Sequence, residues 1–239
     1  MCSVLWPTET RDVDDVTDLI RSKLIQGVLL MEVRYDDERV KQLRKAGIPV
    51  GLIGRTKNES KSIMYADRDF EAAVELALTH LKELGHKKVA FLGASRELLE
   101  TGHGATLRVE EAFRSAASAL KLKSVLLYGE STIGAGHDAF KTMRNSHADV
   151  TGVVSMNVPS TLGFLQAARD NGVAIPADLS LVSLGDEPSG GTAAHQPDPG
   201  GAATEGFEAV RRRVGGAREH RPGPGSQLAN WPVAAVTSL

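Results

Sequence analysis

Short, nearly unbroken apolar runs separated by longer stretches of helical period fill the first 186 residues, and this alternation restricts the chain to α/β architectures. The runs are residues 3–6, 28–31, 50–53, 89–92, 125–128, 153–156 and 181–184. They are rich in Val, Leu and Ile and show little apolar/polar alternation. That pattern predicts parallel strands covered on both faces.

Between the runs the apolar residues move to a spacing of three and four. Val13, Val16, Leu19 and Ile20 share one helical face, as do Val40 and Leu43 after the acidic start Asp36-Asp37-Glu38, with Gly47 and Pro49 as stops. Phe70, Val74, Ala77, Leu81 and Leu84 form the clearest stripe, opened near Asp69 and closed by Gly85. Two further helices carry Val109, Phe113, Ala116 and Leu120, then Leu162, Leu165 and Ala168, the last opened by Pro159 and closed by Gly172. After Pro188 the pattern breaks down. Residues 188–239 hold six of the ten prolines and nine of the 24 glycines, only 205–214 has helical spacing, and no strand pattern precedes 233–236. This Gly/Pro/Arg-rich tail has the composition that an out-of-frame reading of GC-rich DNA gives.

Charge and motifs narrow the function. With 28 Lys+Arg against 30 Asp+Glu the net charge is -2, so the chain carries no basic excess for neutralising phosphates along a duplex. The opening MCSVLWPTETRD has neither a basic n-region nor a long apolar core, and no run reaches membrane-spanning length, which predicts a cytoplasmic location without membrane contact. The single cysteine, Cys2, fits a reducing compartment and excludes a multi-cysteine metal site; no cofactor or metal is expected. Gly102-His103-Gly104 lacks the third glycine of a dinucleotide turn, which is Leu107, and Ser95 in GASRE lacks the second glycine of a nucleophile elbow. An enzyme is not expected. The seven histidines are scattered, and His86, just past a helix end, is expected to meet the last helical carbonyls. Asn157-Val158-Pro159 lies where a strand passes into a helix, the edge at which α/β sheets hold ligands, so capping and binding are both open to Asn157.

Several of these stretches resemble one family. Asp67 and FEAAVELALTHLKELGHKKVAFLG look like the segment around "lGH" in the lactose/galactose repressor (LacI/GalR) family. TGVVSMNVPSTLGFLQAARDNGVAIPADLSLVSLGDEP is similar to its "a.fa.nD..A.G…G..vP.dvslvgfdd" region, with Asn157, Gly163, Gly172, Pro176, Asp178 and Asp186 on signature positions. LIQGVLL and AGIPVGLIGR match "dGiil" and "g.Pvv.idR". The resemblance covers about residues 15–188. It implies two Rossmann-like subdomains of the type I periplasmic-binding-protein kind, joined by crossing strands, with a sugar or nucleoside effector in the cleft. It further implies a transcriptional regulator, homodimeric, whose operator DNA is gripped through a helix-turn-helix headpiece.

On this reading residues 1–66 are part of the N-terminal effector-binding subdomain, 67–187 the C-terminal one and 188–239 the atypical tail. The N-terminal subdomain is expected to be incomplete, because CSVLW falls on the family's second strand and no headpiece precedes it. Asn157, Arg55 and Asp186 carry over as ligand-binding residues, together with Arg108, one residue from the position where the family has its arginine and this chain has Val109. Three acidic family positions are replaced, by Gly54, Val158 and Gly185. Two alternatives stay open: a sugar-binding protein of the transport type, and an inactive truncated remnant.

Overall fold

The computed structural model describes residue 22, residues 26–57 and 63–184, and the backbone of 217–220. The expected strand at 3–6, the helix around Val13–Ile20, Asp186, the helical stretch 205–214 and the strand at 233–236 lie outside the described residues. The chain divides into two compact units, Met1–Asp67 with Arg218–Leu239, and Arg68–Ala217.

In the first unit β1 (Val28–Leu30), β2 (Val50–Ile53), β3 (Met64–Arg68) and β8 (Ala217–His220) form one sheet in the order β1-β2-β3-β8. β1 and β2 run parallel with Val28 opposite Val50, and β2 and β3 with Leu52 opposite Tyr65. Helix α1 (Glu38–Lys45) connects β1 to β2 and buries Val40 and Leu43, as the periodicity predicts. These pack on Val28, Leu30, Ile48, Val50 and Leu52. The opposite face of the sheet differs from expectation: Leu29 is 51% and Ile53 43% exposed, so β1 and β2 alternate instead of being covered twice.

The second unit has four parallel strands, β4 (Lys88–Leu92), β5 (Lys123–Leu127), β6 (Gly152–Ser155) and β7 (Ser180–Ser183), in the order β5-β4-β6-β7. Here the two central strands, β4 and β6, are covered on both faces. Val89 and Phe91 of β4 face α2 (Phe70–Glu83) and α4 (Gly104–Ala119), where Val74, Leu78, Leu81, Val109 and Phe113 are buried. Ala90 and Leu92 face α5 (Ile133–Ser146) and α6 (Val158–Asp170), where Phe140, Met143, Phe164 and Ala168 are buried. Aromatic pairs anchor each layer: Phe91 stacks on Phe113 at 4.9 Å and Phe140 meets Phe164 edge-on at 5.3 Å. The short helix α3 (Arg96–Glu100) precedes α4.

Four elements depart from the sequence reading. β3 reads MYADR, too polar for an apolar run, and is defined by its pairing with β2. α5 has small residues on its packed face, Gly136 and Ala139, which hide the stripe completed by Phe140 and Met143. On α6 the buried face is Ser160, Thr161, Gly163, Phe164, Ala167 and Ala168, with Leu162 and Leu165 only half-buried, because the helix turns its small residues toward α5. In the tail, Ala217–His220 is a strand where none was expected, placed by backbone pairing at a sheet edge rather than by apolar content.

Candidate functional site

The strand order of the second unit selects one place for a ligand. From β4 the chain passes to β5 on one side, and β6 then pairs on the other side of β4. The loops leaving the carboxyl ends of β4 and β6 therefore diverge, leaving the crevice in which open α/β sheets bind ligands. Gly93 follows β4 there and Asn157 follows β6.

Asn157 has extended backbone geometry, and its Oδ1 accepts from Ser160 N at 2.9 Å, which makes it the N-cap of α6. Its Nδ2 donates to the Gly93 carbonyl at 3.4 Å across the crevice. The cap is secured from below: Thr161 Oγ1 donates to the Asn157 carbonyl at 2.7 Å and lies 2.6 Å from Ser155 Oγ, with both hydroxyls buried. Ser160 is fully buried. Its Oγ donates to the Glu130 carbonyl at 2.7 Å and lies 3.3 Å from that of Thr132. Thr132 in turn caps α5 through Ala135 N at 3.1 Å. The starts of α5 and α6 are thus joined in one hydrogen-bonded rim.

Glycine makes that junction possible. A Cβ on Gly163 would fall inside the van der Waals shell of the Ile133 backbone, 2.7 Å from its carbonyl carbon, and one on Gly136 would come 2.7 Å from Phe164 N. The two helices touch backbone to backbone, so only residues without a side chain fit at the crossing. This gives a physical reason for Gly163 where the family resemblance offered only a signature letter.

A second cluster borders the rim at the end of β5. Tyr128 OH donates to Glu110 Oε1 at 3.2 Å, Arg114 Nε and Nη2 donate to the same oxygen at 3.0 and 2.9 Å, and the Arg96 guanidinium stacks 4.1 Å from the Tyr128 ring centroid. Burial first and the Glu110 charge second push the Tyr128 hydroxyl up. The hydrogen bond to Glu110 raises the already basic Arg114.

The other residues expected at the site belong to other elements. Arg108 is buried, 6% exposed, just over a turn into α4 beside Thr106 and Val109. Arg55 belongs to the first unit, directly after β2 and Gly54, with its Nε 3.4 Å from Asp67 Oδ2. In that unit Asp37 is the electrostatic hub. It caps α1 and accepts from Arg34 N at 3.0 Å, Arg39 N at 3.1 Å, and the Arg39 guanidinium at 2.9 and 2.6 Å. Burial works against its charge, but the bonds from Arg39 and Arg34 outweigh burial and hold its carboxyl below the usual range.

Sequence reasoning placed Asn157 correctly on a strand-to-helix turn but missed Ser160, Thr132 and Glu130. The available signal was a Ser or Thr in the first turn after each strand. For His86 the backbone N–H does bond the Leu81 carbonyl, as expected, but the ring does not cap the helix. It bridges Thr151 Oγ1 at 2.8 Å and Ser180 Oγ at 2.9 Å at the opposite, amino-terminal edge of the sheet. His103 caps α4 through Thr106 N at 3.3 Å.

An open parallel sheet wrapped on both faces, with a hydrogen-bonded rim at its switch point, defines a ligand-binding α/β protein. The chain belongs to the periplasmic binding protein-like domain family, whose pattern matches residues 78–222 and so continues past Pro188 into the tail. It is 26% identical over 183 residues to the HTH-type transcriptional regulator MalR of Streptomyces coelicolor, an alignment covering 73% of this chain and 52% of that protein. Among solved structures, a regulatory protein of the LacI family from Chloroflexus aggregans superposes with a TM-score of 0.65 at 25% identity, covering 74% of this chain and 62% of that one. A complex of the transcriptional regulator CelR with cellobiose gives a TM-score of 0.62 at 22% identity, covering 84% and 62%. The chain spans about half the length of the curated relatives it matches. The matched part corresponds to the effector-binding region of LacI/GalR-type regulators. No helix among the described residues is long and apolar enough to cross a membrane.

Proposed function

We propose that this chain is the effector-binding part of a LacI-type transcriptional regulator and that its effector is a neutral sugar, received at the carboxyl edge of the second unit. The observation that carries the reading is the position of Asn157. Its amide closes the cap of α6 with Oδ1 and reaches the Gly93 carbonyl with Nδ2 at the switch point of the β5-β4-β6-β7 sheet, leaving an N–H for a ligand hydroxyl. Membership of a ligand-binding family and a structural neighbour holding cellobiose support a sugar. Arg55, Arg108 and Asp186 complete the proposed ligand set. Operator binding belongs to a helix-turn-helix headpiece, the regulator acts in the cytoplasm as a homodimer, and no chemical step is assigned to it.

Calorimetric titration with cellobiose, maltose, glucose, ribose and adenosine tests the reading. At least one sugar is expected to bind, and Asn157→Asp is expected to weaken it about tenfold at a smaller cost in stability, because Asp caps as well as Asn but offers no N–H to the ligand or to the Gly93 carbonyl. Absence of heat with every compound would remove the effector-binding reading.

A further inference from the structure

We propose that the amino-terminal edge of the second unit's sheet, opposite the rim described above, is a docking surface for an acidic segment of a partner protein that also carries an apolar side chain. Five of the chain's eleven lysines converge on this edge. Lys88 and Lys123 stand opposite each other at the starts of β4 and β5, and Lys123 N donates to the Lys87 carbonyl at 3.0 Å. Lys82, in the last turn of α2, donates from Nζ to the Leu120 carbonyl at 2.8 Å, next to Lys121. Paired strands lie about 5 Å apart, so the Cα atoms of Lys87, Lys88, Lys121 and Lys123 fall within roughly 12 Å of one another. Lys88 has an acidic partner, Asp149 Oδ1 at 2.6 Å. Lys87 and Lys121 are exposed and form no ion pair among the described residues, whereas Lys41 of the first unit holds both Asp36 and Glu38.

Folding does not account for these lysines. Helices α2 and α4 end in the same turn: Gly85 N donates to the Lys82 carbonyl and His86 N to that of Leu81, as Lys121 N donates to Ser118 and Leu122 N to Ala117. The left-handed position of the first turn holds Gly85, with φ +90°, but that of the second holds Lys121, with φ +55°. A side chain is strained there where glycine is not, and this one repays the strain with no bond inside the fold. Lysine on an edge strand also discourages stray pairing, which covers Lys123 on the outer strand β5, but Lys87 precedes the interior strand β4 and Lys121 sits in the turn. The class of partner follows from Leu84, between Lys82 and Lys87 in the chain and 60% exposed, more than any other large apolar residue among those described. A peptide carries both carboxylates for the ammonium groups and an apolar side chain for Leu84, while a nucleic-acid backbone supplies phosphates and leaves Leu84 in water.

Fluorescence anisotropy of the full chain with a labelled random copolymer of Glu and Tyr, and with a short labelled DNA duplex, tests the proposal. Wild type is expected to hold the copolymer more tightly than the duplex, and K87E/K121E to hold it about tenfold more weakly. K45E/K141E makes the same change of net charge at exposed positions on α1 and α5 and is expected to match wild type. L84S should weaken the copolymer about threefold. K121G separates binding from folding, because it relieves the strained turn: its melting temperature should rise while its copolymer affinity falls. No retention of the copolymer by wild type, or wild-type affinity in K87E/K121E or K121G, would overturn the proposal. An equal loss in K45E/K141E would reduce the effect to net charge and overturn it too. Equal affinity for DNA, or an L84S chain that binds like wild type, would replace the peptide with a generic polyanion and overturn the assigned partner.

Discussion

Replacing Gly163 by Ala tests whether the rim depends on the glycine crossing of α5 and α6. The added methyl would overlap the Ile133 backbone, 2.7 Å from its carbonyl carbon and 2.9 Å from its Cα. No rotamer change relieves a clash of Cβ with backbone, so the helices must separate by about 1 Å or more to restore ordinary contact near 3.5 Å. That movement strains the edge-on Phe140–Phe164 pair and lengthens the bond from Ser160 Oγ to Glu130. The ring pair contributes roughly 1 kcal/mol and the hydrogen bond about as much. Overpacking against an unyielding neighbour adds up to about 3 kcal/mol. Ala is a better helix former than Gly by roughly 1 kcal/mol, which offsets part of the loss. The net expectation is a destabilisation of about 3 kcal/mol, over a hundredfold in the folding constant. Gly134, exposed on the first turn of α5 with nothing within 4 Å of a built Cβ, is the internal control, and Gly134→Ala should be neutral or stabilising by about 0.5 kcal/mol. Urea titration followed by helical circular dichroism compares the two. Stabilities within 1 kcal/mol of each other would mean that the helices do not touch as described.

Asp37→Ala should cost about 3 kcal/mol, since it removes a helix cap and leaves the partly buried Arg39 guanidinium without its carboxylate. Because the folded carboxyl titrates below its ordinary value, Asp37 stabilises fully above pH about 4, and melting temperatures of wild type and variant should converge as pH falls below that; a constant gap down to pH 3 would contradict this. His86 gives the same sign of pH dependence in a higher pH window. Burial first, and the neighbouring His80 second, lower its pKa, so the unfolded chain takes up a proton near pH 6.5 that the folded one resists, and stability falls as pH drops below that point. His86→Gln should lose about 1–2 kcal/mol at pH 7.5 with its bonds to Thr151 and Ser180, and should flatten the pH slope between 7 and 5; an unchanged slope would exclude His86 as its source.

The second unit was legible from the sequence because its two central strands are covered twice. β4 and β6 therefore read as apolar runs, and the stripes of α2 and α4 follow from packing on the sheet. The first unit was harder. β1 and β2 leave Leu29 and Ile53 exposed although their sequence looks doubly buried, and β3 is a polar strand whose existence depends on its neighbour. The α5–α6 contact inverted the usual rule: beside the Phe140–Phe164 pair, its closest approach is made by Gly136, Ser160 and Gly163, residues that hydrophobic periodicity counts as gaps.

The same division between local and distant causes runs through the candidate site. Asn157 was readable because what it does is local: it caps the residue three positions on, and Asn before Val-Pro after an apolar run announces a helix start. Ser160 stands just as close in the sequence, yet its hydroxyl acts on a carbonyl 30 residues back, and His86 joins residues 65 and 94 positions away. No window of sequence contains both ends of such bonds. Arg108 depends on the same distinction, since it stands one residue from the family's arginine position, a shift that rotates a helical side chain by about 100°, and in the structure it is buried on α4. Chemistry that depends on one turn of helix transfers with the motif. Chemistry that depends on which loops meet at the switch point requires the strand order, and it is the strand order that brings the Glu130 carbonyl to Ser160.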